Sequence, residues 1–314
     1  MLLELTKIEH FKEHMQCLFI KSQFQEQADV LKKILNVCIL AVQQMKDSQR
    51  FKIMLTVILK MGNFMNGGSR RGGAFGASSF CTQSATKPVH PVETNQLFWF
   101  SFVFLLFCYY YLVGVKLDVL NKIETAKSKS GKFTLVHYLV QQLKINDEDT
   151  LQLPKDLYAV SDAAKYTIGQ LSGDFAVIRK GMKTGKSQNL QINETTPMSC
   201  SLFFHNFVHN FVHNFSVATE VEWAKKSEDA QCFVELMGPF AENAQATVTA
   251  SETKLQQLKD TFEQLATEFG ENAAKTEMDA FFKQINHFID VFKGAIAKIE
   301  ATGGGLLMPP SEEG

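Results

Sequence analysis

Three histidines, His205, His209 and His213, stand four residues apart. On a helix, pairs at that spacing share a face and could chelate Zn²⁺. No carboxylate or thiol is spaced with them. The repeated tetrapeptide His-Asn-Phe-Val copies Asn, Phe and Val as faithfully as His, so the stretch reads as a tandem duplication without a metal. A second candidate is the glycine-rich stretch Gly62–Gly73, which holds Gly62, Gly67, Gly68, Gly72 and Gly73 with Asn63 and Asn66. As a phosphate cradle it lacks the Gly-Lys-Ser/Thr ending and a preceding strand. Its other use is steric: without Cβ atoms, another backbone can approach closely. A third candidate is Lys116, Lys122, Lys127, Lys129 and Lys132, with Asp118 and Glu124 among them. That cluster is either a solvated face or a contact surface for an acidic partner. No GxSxG, HExxH, SxxK or CxxC pattern occurs, and the carboxylates are dispersed over helix faces. The expectation is a protein that is not an enzyme, with no catalytic residue, no metal site and no cofactor.

The elements that must position these residues read as helices. From 26 to 61, apolar residues recur at steps of one, three and four: Val30, Leu31, Ile34, Leu35, Cys38, Ala41 and Met45, then Phe51, Met54, Leu55, Ile58 and Leu59. Between them Asp47 or Ser48 is placed to cap the second helix, which the glycine-rich loop should end. Phe133, Val136, Leu139 and Val140 mark a short helix. Leu157, Val160, Ala164, Ile168, Leu171, Phe175, Ile178 and Met182 form one continuous seam close to a heptad. Leu255, Leu258, Phe262, Leu265 and Phe269 form another, and Phe281, Ile285, Phe288, Ile289, Phe292, Ile296 and Ile299 a third. No period-2 strand pattern occurs outside 77–115 and 193–221. The fold class expected is all-α, with long helices and an elongated shape.

Composition bounds the function. Of 314 residues, 45% are hydrophobic and 21% charged, with 32 basic against 33 acidic side chains and a net charge of -1. Such a chain folds but has no global field for nucleic acid or an acidic membrane. Cys17, Cys38, Cys81, Cys108, Cys200 and Cys232 are scattered, which suits reduced thiols in a cytosolic setting. The first turns carry charges and lack a cleavage site, so no signal peptide is expected. One stretch conflicts with this: Leu97–Val115 is uncharged over 19 residues, a length that raises a membrane span.

Several segments carry a resemblance. Gly62-Asn63-Phe64-Met65-Asn66, then Gly67, Gly68 and Gly73-Ala74-Phe75-Gly76, then Lys116-Leu117, Ala126-Lys127-Ser128 and Thr134-Leu135-Val136-His137-Tyr138-Leu139-Val140 follow one another in this order. Together they resemble the formin homology 2 (FH2) domain. The family pattern is a Gly-Asn-aromatic-Met-Asn motif, glycines, Gly-Phe-Lys-Leu, Thr-Lys-Ser and a Thr-Leu-Leu-His-Tyr-Leu-Val stretch. The resemblance extends upstream through Ile8–Phe11 and Phe19–Phe24, and downstream through Cys232–Met237 and Phe281–Phe288. Two blocks depart from it. Residues 77–115 separate Gly76 from Lys116, and 193–221 interrupt a helical stretch; both read as insertions, and the aromatic run then is no true span. Met1 falls after the family's lasso, linker and most of its knob.

The resemblance implies a partial FH2-like domain over 1–301, with a knob remnant, a three-helix coiled-coil region and a post, followed by a disordered tail over 302–314. It implies binding to actin and a family role in nucleation and barbed-end elongation, impaired here by the missing lasso and by the block beside the lasso-receiving loop. Lys116, Lys127, Lys129 and Lys132 become actin-facing candidates. Gly62, Asn63, Phe64, Met65, Asn66, Gly67, Gly68, Gly73 and Gly76 become the post that receives a partner's lasso. The partners implied are actin and a second FH2 chain, the dimer being in question without a lasso. Profilin would be only indirect, through a proline-rich region not contained here; no nucleic acid is expected. The location implied is the cytoplasmic actin cytoskeleton. The alternatives are a membrane-anchored helical protein and a non-actin coiled-coil scaffold.

Overall fold

The computed structural model describes residues 9–66, 116–127, 133–182 and 216–302. Among these residues the fold is all-α, and the only extended pairing is an isolated bridge between Lys127 and Thr134. Helix α1 is Phe11–Asp47, α2 Gln49–Asn66, α3 Asp118–Thr125 and α4 Leu135–Asn146. A 3₁₀ turn, Glu148–Gln152, leads into two short helices, α5 (Leu153–Asp156) and α6 (Val160–Ala163). Then come α7 (Ile168–Met182), α8 (Val217–Ala224), α9 (Gln231–Glu268) and α10 (Met278–Ala301). Helix α8 begins inside the block 193–221.

The chain divides into two compact units, one of residues 1–37 and 166–259, the other of 38–165 and 260–314. The first is built on long amphipathic helices. Its core takes Cys17, Ile20, Phe24, Ala28, Leu31 and Leu35 from α1, Leu171, Phe175, Ile178 and Met182 from α7, and Phe233, Met237, Ala244, Val248, Leu255 and Leu258 from α9. Steps of three, four and seven keep each set on one stripe. Helix α9 carries Pro239 in its interior. A proline ring crowds the carbonyls of the preceding turn, and Lys21 Nζ donates to one of them, Leu236 O, at 2.9 Å. At the start of α1, His10 stacks on Trp223 with centroids 3.6 Å apart, while its Nδ1 lies 2.8 Å from the buried Glu220 carboxylate.

The second unit is denser in aromatics. Phe51, Phe262, Phe282, Phe288 and Phe292 are fully buried. Phe262 and Phe269 each meet Phe281 edge to face, at 5.5 and 5.7 Å. Such geometry suits the ring quadrupoles. Helix α10 lies along α4 and also touches α3 and α6, and α2 packs on α4.

Two sequence expectations need correction here. The seam from Leu157 to Met182 is not one helix. It breaks between Ala164 and Ile168, and its two halves serve different units. The cause is local: Thr167 Oγ1 accepts the Gln170 N–H at 3.0 Å, and Gln170 Oε1 accepts the Thr167 N–H at 3.1 Å. That reciprocal capping box starts a new helix. The second correction concerns α2, which does not end at Gly62 but runs through Asn66. Gly62 is buried inside it, and one helical glycine costs only about 1 kcal/mol against the packing of a whole face. Ser48 is the cap of α2: its Oγ accepts the Phe51 N–H at 3.2 Å and donates to Asp156 at 3.0 Å.

Candidate partner-binding face

Of the residues expected to form a post, Gly62, Asn63, Phe64, Met65 and Asn66 occupy the last turns of α2. Gly67, Gly68, Gly72, Gly73 and Gly76 lie outside the described residues, as do Lys129, Lys132, His205, His209, His213 and the apolar run Leu97–Val115. Among the described residues, no helix is long and apolar enough to cross a membrane.

Two of the lysine candidates are described, and they stand at either end of one short helix. Lys116 and Lys127 are both exposed and flank α3, whose eight residues span about 12 Å along the axis. Lys122 is turned into a pair with Asp118 at 2.8 Å. The buried side of α3, Val119, Leu120 and Ile123, seats it on the core. The position of Lys116 is set by its neighbour. Leu117 is 2% exposed. Its N–H donates to Glu271 Oε1 at 3.3 Å, and its carbonyl accepts Gln284 Nε2 at 2.9 Å. A buried, doubly bonded residue therefore holds the exposed lysine before it.

Glu271 reaches Leu117 because α9 ends sharply. Gly270 has φ 64, a left-handed conformation that glycine adopts without Cβ strain. The Glu271 N–H bonds Ala266 O at 2.9 Å and the Gly270 N–H bonds Thr267 O at 2.9 Å, the paired bonds of a Schellman cap. Sequence reasoning missed Glu271 and Gln284 altogether. The one available signal was Phe269-Gly270 at the end of a seam, which marks a helix C-terminus but not the contact that follows.

At the far end of α3, Lys127 pairs with Thr134 in the isolated bridge, and the Leu135 N–H donates to Ala126 O at 2.8 Å. Helix α2, which carries the Gly62–Asn66 motif, and α4, which carries the Thr134–Val140 motif, belong to one unit and pack together. Arg50 of α2 bonds Asp149 through Nε and Nη2, each at 3.0 Å, and Asp156 through Nη1. The bidentate guanidinium holds the Asp149 carboxyl below the usual carboxylate range.

Burial pushes the Cys17 and Cys38 thiols up to about 12, so neither is a nucleophile at neutral pH. Among the described residues no group of three His, Cys, Asp or Glu side chains could hold a metal ion.

Comparison with known proteins agrees with the order of these elements. The profile of the Formin Homology 2 Domain matches residues 1–78 and 112–293. The chain is similar to Disheveled-associated activator of morphogenesis 2 of Mus musculus, with 26% identity over 303 residues, covering 96% of this chain and 21% of that protein. It is similar to Formin-F of Dictyostelium discoideum, 22% identical over 291 residues, covering 93% and 18%. To Formin-like protein 6 of Oryza sativa subsp. japonica it is 25% identical over 197 residues, covering 63% and 12%. The chain thus spans about a fifth of the length of the first of these relatives. With the profile matching well over half of the chain and all described helices following one another as an all-α domain, the chain belongs to the formin homology 2 family.

Proposed function

We propose that this chain is an actin-binding FH2 module whose work is differential binding of actin subunits, not covalent change. The observation that carries the reading is the α3 segment. Lys116 and Lys127, two of its exposed lysines, flank a firmly seated helix, with Leu117 clamped by Glu271 and Gln284. Fixed cations steer and register an acidic partner better than mobile ones, and actin is acidic. Lys129 and Lys132, which follow in the sequence, are proposed as further cations for the same partner. The family match favours this over a membrane anchor or an unrelated coiled-coil scaffold.

The end of α2 with the glycines beyond it, Gly62, Asn63, Phe64, Met65, Asn66, Gly67, Gly68, Gly73 and Gly76, is proposed as the post that receives a segment of a second FH2 chain in a head-to-tail pair. Residues 77–115 are proposed as an insertion next to that post. The interval between the matched stretches 1–78 and 112–293 supports this, and the block is expected to weaken filament nucleation. The setting is the cytoplasmic actin cytoskeleton.

Cosedimentation of the 314-residue chain with actin filaments tests the reading. The unsubstituted chain should pellet with filaments. The double substitution Lys116→Ala with Lys127→Ala should weaken binding about three- to tenfold and flatten its salt dependence. No pelleting of the unsubstituted chain, or a double variant with the same affinity and salt response, would reject it.

A further inference from the structure

The junction between Lys127 and α4 is closed by a histidine. His137 is the third residue of α4, and with Thr134 it forms a capping box. The position ordinarily carries Glu or Gln, whose side chain accepts the backbone N–H of the cap residue. Here His137 Nδ1 accepts the Thr134 N–H at 3.2 Å, and Thr134 Oγ1 lies 3.0 Å from the same atom. An Nδ1 that accepts carries no proton, which places the ring hydrogen on Nε2. The ring sits half-buried, edge-on to Phe133 at 5.5 Å, and Lys298 of α10 stands over the other aromatic partner, with Nζ 5.0 Å from the Phe133 ring centroid. Thr134 is also the residue that bridges Lys127.

The charged surroundings all point one way. Lys298 is the charged group of α10 set against His137. On α3, Asp118 is paired with Lys122, and Glu124 lies 3.1 Å from His287; among the described residues the charge acting on His137 is that of Lys298. We propose that the His137–Thr134 cap is an acid-labile clasp: protonation of Nδ1 removes the acceptor of the Thr134 N–H, brings a second cation beside Lys298, and loosens the pairing that fixes Lys127 at the end of α3. Burial and Lys298 hold the His137 pKa below its ordinary value. The folded pKa is depressed, so the clasp is complete above the free-histidine pKa and is lost as pH falls through the lower folded value. A glutamine at this position would accept the same N–H at any pH.

Acid sensitivity of the clasp stands apart from the actin reading; only its consequence for Lys127 rests on that reading. Hydrogen exchange of the full chain therefore tests it without actin. In the unsubstituted protein, protection of peptides covering 133–138, corrected for intrinsic exchange, should fall about tenfold between about pH 7.5 and about pH 5.5. Peptides of α9 should keep theirs. In His137→Gln the 133–138 peptides should hold constant protection over the same range. Constant protection in the unsubstituted chain, or a parallel loss in His137→Gln, overturns the proposal. Should His137→Gln not fold, the unsubstituted profile decides alone: a loss confined to 133–138 supports the clasp, and a flat or chain-wide response rejects it.

Discussion

The two units solve the same problem, burying an apolar face, with different means. The unit of 1–37 and 166–259 uses periodicity: its stripes on α1, α7 and α9 are mostly aliphatic with single phenylalanines, and several of its polar links between helices are exposed. Arg179 meets Glu252 at 3.3 Å and Lys254 meets Asn36 at 3.0 Å. The unit of 38–165 and 260–314 sets short elements between the longer α2 and α10, around a phenylalanine-rich core with polar contacts that bridge distant parts of the chain. Ala159 N–H donates to Gln44 Oε1 at 3.0 Å, and Leu117 is held by Glu271 and Gln284. Repetition makes a scaffold, whereas specific long-range bonds position single residues. The described candidate residues, Gly62–Asn66, Lys116 and Lys127, all lie in the second kind of unit.

The largest expected effect separates the two cores. Phe282→Ala and Phe24→Ala each remove a phenylalanine, at a cost of about 3–5 kcal/mol. Phe282 is 0% exposed and is flanked by both Phe262 and Phe281. Phe24 has Phe240 edge-on at 5.5 Å and borders a small gap lined by Leu31, Phe175 and Ile178. The first should fall near the top of that range and the second near its bottom, as read from denaturant midpoints. Equal losses would show that ring contacts add nothing beyond burial, and the contrast between the cores would fail.

That contrast also explains what was readable in advance. The all-α class and the stripes on α1, α9 and α10 follow from periodicity, because burial repeats with the helix turn: Leu255, Leu258, Phe262, Leu265 and Phe269 are all buried. The cap at Ser48 was legible from its place between two apolar runs. The break in the Leu157–Met182 seam was not read, although Thr167-Ile168-Gly169-Gln170 spells a capping box. An apolar stripe can pass in register through a break, so periodicity alone hides it. The run of α2 to Asn66 was missed for the opposite reason, since a buried Gly62 mimics a stop. Lys116 and Lys127 stand out in the sequence as members of a lysine cluster, and the family motif singles out Lys116. Glu271 and Gln284 could not be, because hydrogen bonds spanning such separations leave no spacing in the sequence.

A sharper comparison comes from pH. Within the first unit, burial raises the Asp174 carboxyl to about 6. A raised folded value favours the folded state below the free-aspartate pKa, and the advantage is lost as pH rises through about 6. At neutral pH the buried carboxylate therefore opposes folding. Asp174→Asn should stabilise the chain by about 1–2 kcal/mol near neutral pH, after allowance for its partial exposure, with the gain vanishing at acid pH. Denaturant melts over a pH series read this directly. His137 of the second unit carries the reverse sign, its contribution being lost as pH falls. A gain for Asp174→Asn that persists in acid would show that the aspartate's shape rather than its charge is at fault.

The smallest effects should come from the two caps, and their ratio is informative. Thr167 caps α7 with its reciprocal Gln170 bond, and both groups remain partly open to water, which can replace what is removed. Thr167→Ala should cost about 0.5–1 kcal/mol. Ser48 is 7% exposed and does two things at once, accepting the Phe51 N–H and donating to Asp156, which Arg50 also holds. Ser48→Ala strands a buried N–H and takes a donor from a carboxylate, so about 1–2 kcal/mol is expected. Denaturant melts of the two variants compare them. If both lose the same, capping is a local helix property and the polar bridging of the second unit adds nothing. If Ser48→Ala loses clearly more, the cap has been absorbed into the long-range network that also seats Arg50, and the difference between the units reaches down to a single hydroxyl.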